Sequence, residues 1–120
     1  MFRGQVRKFS TPGLKVPQIG WNKLDLVERQ HPLWEGLPED PFVYFVHSYF
    51  PEAGDETPVI AKCTYGETFA AAASRGRVSG VQFHPEKSQS VGLGILRNFL
   101  QTATRVPTKS FSPAVAVANA

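Results

Sequence analysis

Ten prolines and ten glycines cut this chain of 120 residues into short pieces. Proline removes a backbone donor and glycine weakens any regular element it interrupts, so the punctuation favours strands joined by turns over long helices. The period changes after residue 88. Val91, Ile95 and Phe99 recur four apart, with Leu93, Leu96 and Leu100 offset from them, which makes a broad apolar stripe. This predicts one helix over 88–104, packed on a sheet, with Ser88 or Ser90 as N-cap. Upstream, strands are expected at 4–9, 42–50, 58–65, 68–74 and 77–83. The aromatic and β-branched run of residues 42–50 is the strongest of them. Thr11-Pro12-Gly13 and Arg75-Gly76 read as turns, and His31 to Leu37 as a short helical turn closed by Gly36.

The length allows one domain at most, and 42% hydrophobic with 12% aromatic residues suffices for a core. A single cysteine excludes an internal disulfide, and beside three scattered histidines it makes a poor zinc site. No metal or other cofactor is expected. No apolar run is long enough to span a membrane, and the start lacks a basic-plus-apolar leader, so a reducing, cytoplasmic setting is the default. Beyond Val106 the composition falls to Pro, Ser, Ala and Val. Residues 106–120 are expected to be a disordered tail after a domain of residues 1–105.

The net charge of +3 is unevenly spread, with positive flanks around an acidic middle. Arg3, Arg7, Lys8, Lys15, Lys23 and Arg29 are dispersed rather than gathered beside aromatic or helical reading elements. They read as a solvated surface, not a nucleic-acid footprint.

The sharpest local feature is Gly80-Val81-Gln82-Phe83-His84-Pro85-Glu86-Lys87-Ser88. A strand runs into His84, and Glu86 follows two residues on, on the same side of an extended segment. Its carboxylate can reach one ring nitrogen while the other faces a reacting group, with Pro85 limiting the freedom of the pair. That is the base-and-orienter half of a nucleophilic site. A His-Pro-Glu tripeptide at a strand end also serves as a plain turn, and spacing alone leaves both readings open. Cys63 is the only thiol, and its mid-strand position in residues 59–65 reads as a small buried hydrophobe. No glycine flanks it to form an elbow. Ser48 and Ser88 also lie outside any Gly-x-Ser-x-Gly elbow. His31 reads as a turn residue and His47 as a core or edge histidine.

Four stretches occur together in order: Val16-Pro17-Gln18-Ile19-Gly20-Trp21-Asn22, Tyr44-Phe45-Val46-His47-Ser48-Tyr49, the segment from Gly80 to Ser88, and Leu96-Arg97-Asn98-Phe99. In this combination the chain resembles the class I glutamine amidotransferases. Within them it is similar to the glutaminase subunits of imidazole glycerol phosphate synthase, from about Gly4 to about Leu100. The resemblance implies an α/β fold, the C-terminal portion of a flavodoxin-like domain, here mostly strands with a C-terminal helix. It implies that glutamine is hydrolysed to glutamate and ammonia, which a cyclase subunit uses in histidine biosynthesis. By motif match His84 is the general base and acid and Glu86 its orienter. His47, Ser48 and Tyr49 would lie beside the glutamine and help hold it, largely through backbone groups. The Pro17-to-Asn22 loop (Pro17, Gln18, Ile19, Trp21, Asn22) and Lys87 would face the cyclase, a (β/α)₈ barrel, in a heterodimer. Read from composition alone, Trp21 serves equally as an interface anchor or as core.

Two departures qualify the match. Gln18 stands where the family usually has histidine. The family's Gly-x-Cys-x-Gly elbow and Pro-Gly-x-Gly oxyanion loop, which belong to an N-terminal half, do not occur in these 120 residues. The chain is therefore expected to be inactive alone, with a non-catalytic cyclase-binding module or a truncated remnant as the alternatives.

Overall fold

In the computed structural model the described residues are 4–53, 58–105 and 114–117, the side chains of 4, 53, 103–105 and 114–117 excepted. Five strands form one sheet in the order β3 (Asp25–Leu26), β6 (Val59–Tyr65), β7 (Glu67–Arg75), β8 (Val78–Val81) and β9 (Ala114–Val117). β1 (Gly4–Lys8) pairs with β5 (Tyr49–Ala53), and β2 (Gln18–Lys23) with β4 (Phe42–His47). All pairs are antiparallel except β8 with β9. One α-helix, α1 (Gln89–Arg105), follows β8. The expected architecture, mostly strands with a C-terminal helix, is what the chain adopts.

Residues 42–50 were expected as one strand and form two. The chain changes partner at Ser48, leaving β2 and taking up β1, and the Ser48 carbonyl accepts the Phe9 N–H at 3.1 Å. A second difference is β2 itself. The Pro17-to-Asn22 segment was expected as a loop, but residues 18–23 run in register with β4 from Gln18↔His47 to Lys23↔Phe42. Pro17 and Gly20 hid its alternation: Ile19, Trp21 and Lys23 point outward and Gln18 inward. Gly20 has φ +133°, a conformation open to few other residues.

The core is aromatic. Phe9, just after β1, meets Phe50 at 4.8 Å and Phe69 at 5.6 Å between ring centroids, and Phe45 meets Phe69 at 5.8 Å and Phe83 at 6.0 Å. These edge-on and tilted contacts bind β4, β5 and β7 together around rings that are at most 4% exposed. α1 seals one end with Ile95, while Leu93 and Leu100 stay about 60% exposed, so its buried stripe is narrower than the sequence pattern suggested. Asn98 reaches instead from α1 to the Leu33 and Glu35 carbonyls at 2.9 and 2.8 Å, docking the 3₁₀ turn Pro32–Trp34. Of the expected tail, residues 106–113 and 118–120 lie outside the described residues, and Ala114–Val117 are β9.

Candidate active site

β8 ends at Val81, and the chain stays tied to the neighbouring strands for three more residues. The Gln82 N–H donates to the Ala71 carbonyl at 2.8 Å and the His84 N–H to the Tyr44 carbonyl at 2.9 Å. Pro85–Lys87 then forms a single 3₁₀ turn, closed by the Lys87 N–H on the His84 carbonyl at 3.0 Å. The turn brings Glu86 back under the ring, with its Oε2 3.0 Å from His84 Nδ1. The His84 side chain is 15% exposed and the Glu86 side chain 55%. Burial pushes the Glu86 carboxyl up, but its own backbone N–H, His84 and Lys87 outweigh that and hold it below the ordinary carboxylate range. Glu86 is thus an ionised acceptor at neutral pH, and it directs Nδ1–H toward itself. Nε2 remains as the nitrogen available for proton transfer.

Ser88 supports this pair in a way the sequence did not reveal. Its hydroxyl donates to the His84 carbonyl at 2.6 Å and accepts the Tyr44 N–H at 2.9 Å, so it is committed to β4 and not to a helix cap. Gly92 has a comparable role. A Cβ there would lie 1.8 Å from the Pro85 carbonyl oxygen, so only glycine lets the first turn of α1 sit against the His-Pro-Glu turn. A glycine inside a helical pattern was the one available signal, since it costs about 1 kcal/mol relative to alanine unless packing demands it.

His47 is fully buried, ringed by Phe9, Phe45 and Phe69 at 5.1–5.4 Å. Its Nδ1 lies 2.9 Å from the Tyr49 carbonyl and its Nε2 2.5 Å from Gln18 Oε1. Burial pushes its pKa down, and the nearby His84 adds to that against the Tyr49 carbonyl. A neutral ring carries one N–H for these two oxygens, so it donates either to the Tyr49 carbonyl or to Gln18 Oε1. Gln18 is only 3% exposed and also hydrogen-bonds Cys63. Its side chain faces the interior, unlike those of Ile19 and Trp21, which are 56% and 47% exposed. Ser48 and Tyr49 lie at the partner switch between β4 and β5, and their carbonyls already accept from Phe9 and His47.

Trp21 sits edge-on to Tyr44 at 5.9 Å, and through Tyr44 its strand adjoins His84 and Ser88. Asn22 donates to the Thr64 carbonyl at 2.9 Å, Pro17 is half-buried, and Lys87 is exposed. Cys63 is 0% exposed, and burial pushes its thiol up to about 12, so it stays protonated and inert at neutral pH. Among the described residues, no group of three or more His, Cys, Asp or Glu could hold a metal ion. No described helix is long and apolar enough to cross a membrane.

A histidine held by a carboxylate at a strand end is an arrangement that can serve as a base and its orienter. The family model of glutamine amidotransferase class-I matches residues 6–103, and the chain belongs to that family. Among curated relatives, it is 49% identical over 105 residues to the imidazole glycerol phosphate synthase subunit HisH of Microcystis aeruginosa, covering 86% of this chain and 50% of that protein. It is 48% identical over 103 residues to the HisH of Methanosarcina mazei, covering 84% and 50%. The chain thus spans about half the length of these relatives. Among solved structures, a Thermoplasma acidophilum protein assigned to GMP synthase superposes with a TM-score of 0.67 at 22% identity, over 85% of this chain and 49% of that one. A glutamine amidotransferase from Thermotoga maritima gives 0.53 at 18%, over 85% and 40%. These likenesses fix the fold as part of a flavodoxin-like amidotransferase domain.

Proposed function

We propose that this chain is one half of the glutaminase subunit of an imidazole glycerol phosphate synthase, carrying the base and its orienter but not the nucleophile. The observation that carries the reading is His84 held at both ends of its backbone, with its ring 3.0 Å from Glu86, inside the stretch that matches the family. In the assembled site a cysteine thiolate of the other half attacks the side-chain amide carbon of glutamine. A C–S bond forms, the C–N bond breaks, and His84 passes its proton to the departing ammonia. Water, deprotonated by the same Nε2, then releases glutamate from the thioester. Glu86 keeps Nδ1 protonated and stabilises the imidazolium at both stages.

His47, Ser48 and Tyr49 would border the glutamine through their backbone, with the buried His47 ring fixing the segment's shape. Ile19 and Trp21, beside Pro17, Asn22 and the exposed Lys87, would meet the cyclase barrel, which consumes the ammonia in a cytoplasmic heterodimer. Gln18 would act on that face from behind, by holding β2 to His47. A non-catalytic cyclase-binding role is favoured by one feature, the outward Ile19 and Trp21 on a strand independent of the missing nucleophile.

Grafting residues 6–103 in place of the matched stretch of the Microcystis aeruginosa relative tests the reading. The chimera should release ammonia from glutamine in the presence of the cyclase, and Glu86→Gln should lower kcat by about 10²–10⁴-fold, as expected when an orienting carboxylate is lost. A chimera whose activity ignores both His84→Asn and Glu86→Gln would remove the proposed roles.

A further inference from the structure

The pairing of β8 with β9 differs from every other pairing in the described residues, because it is parallel. Its register runs Val78↔Ala114, Ser79↔Val115, Gly80↔Ala116 and Val81↔Val117. Antiparallel neighbours can be joined by a tight turn, but parallel ones need a long crossover, and α1 lies between β8 and β9 in the chain. Two consequences follow from parallel alignment. Ligands in α/β sheets bind beyond the carboxyl ends of the strands, and parallel neighbours present those ends side by side. The carboxyl end of β8 leads directly to His84. Whatever strand pairs in parallel with β8 therefore delivers its own carboxyl end beside the His84–Glu86 pair. In this chain that strand is Ala-Val-Ala-Val, which brings no nucleophile.

The edge is well defined. The Gln82 N–H points to β7, where it meets the Ala71 carbonyl. Backbone donors alternate along a strand, so those of Ser79 and Val81 point away from β7, toward β9. The cover on this edge is slight. β9 has four residues, its described packing is mainly on β8, and parallel pairing is slightly weaker per residue than antiparallel. An edge covered only by so short a strand becomes a template for strand addition once that strand leaves.

We propose that the β8 edge is a strand-exchange site and that β9 is its placeholder, occupying the position a parallel strand of the complementary half of the amidotransferase domain takes. The identity of that incoming half rests on the function proposed above. The chain's span of about half its relatives' length argues for such an occupant rather than for a second copy of this chain. Binding of the complementary half then requires β9 to leave, so its apparent affinity is reduced by the fraction of chains whose edge is open.

The test uses the full chain and two variants. Amide exchange at Ser79 and Val81 should be at least about tenfold faster in Val115→Pro than in the parent, with Val43 and Phe45 in β4 unchanged. In Ser79→Cys/Val115→Cys the cysteines replace two register partners, and a disulfide between them should form and pin β9 in place. Co-refolded with the half of the Microcystis aeruginosa relative outside the matched stretch, the oxidised form should yield about tenfold less complex than its reduced form. Failure of the disulfide to form, equal exchange at Ser79 and Val81, or equal complex from both redox forms overturns the proposal. Absence of complex with either form also overturns it, while leaving the amidotransferase reading to the chimera, whose grafted stretch ends before β9.

Discussion

The position of His84 and Glu86 depends on Gly92, and replacing it with alanine measures how strongly. The added Cβ would lie 1.8 Å from the Pro85 carbonyl oxygen, 2.7 Å from its carbon and 2.9 Å from Ser88 Cβ. Real Cβ atoms do not approach within 3.0 Å, so α1 and the 3₁₀ turn must separate by at least about 1.2 Å, 3.0 less 1.8. The obstacle is backbone, which cannot rotate aside. Overpacking of this kind costs about 1–3 kcal/mol, partly offset by the roughly 1 kcal/mol that alanine gains over glycine in a helix. Gly94→Ala is the control, since its Cβ meets only the Leu37 side-chain end at 3.3 Å and should be neutral or stabilising. Urea unfolding of the two variants should therefore differ by about 1–3 kcal/mol in favour of Gly94→Ala. The imidazole resonances of His84 should shift in Gly92→Ala alone. Equal stabilities with an unmoved His84 signal would refute the idea that this contact seats the His-Pro-Glu turn.

Three further outcomes are expected. Gln18→Leu removes the partner of His47 Nε2 in a dry site and should cost about 1–3 kcal/mol, whereas Ile19→Ser on the outward face should stay within about 0.5 kcal/mol, both read by urea midpoint. The folded chain depresses the proton affinity of His47 and His31 below the ordinary 6.5, chiefly by burial. The unfolded chain then binds these protons first as pH falls, so stability should be fully present above pH 6.5 and decline below it; His31→Gln/His47→Gln should flatten that slope, and an unchanged slope would assign it to other groups. Trp21→Ala should leave the unfolding midpoint nearly unchanged but weaken cyclase binding by tenfold or more, on the order of an interface anchor's loss, measured by titration of the chimera.

The legible parts of this structure were those whose signal is local. The helix after residue 88, the Arg75-Gly76 turn and strands β6, β7 and β8 follow from period and punctuation, whereas the His84–Glu86 contact, expected from i, i+2 spacing in an extended segment, is made instead by the 3₁₀ turn Pro85–Lys87. β2 was hidden because Pro17 and Gly20 mimic loop chemistry, while its pairing with β4 is set by contacts about twenty-five residues away. Ser88 looked like a cap because the competing acceptor and donor, His84 and Tyr44, come together only in the folded chain. Gln18 illustrates the same limit. Its neighbours Ile19 and Trp21 face out, but strand alternation turns Gln18 itself toward His47 and Cys63. β9 was unreadable for a related reason: Ala-Val-Ala-Val carries no turn signal, and its strand state depends on the edge offered by β8.

The central claim is that a correctly built base and orienter sit in this chain without a nucleophile. It is tested most directly by ammonia release from glutamine, measured for the 120-residue chain alone and after co-refolding with the half of the Microcystis aeruginosa relative outside the matched stretch. The account predicts no release by the chain alone, and release by the combined halves that is lost in His84→Asn and sharply reduced in Glu86→Gln. Glutamine-dependent ammonia from the chain alone, abolished by Cys63→Ala, would contradict it.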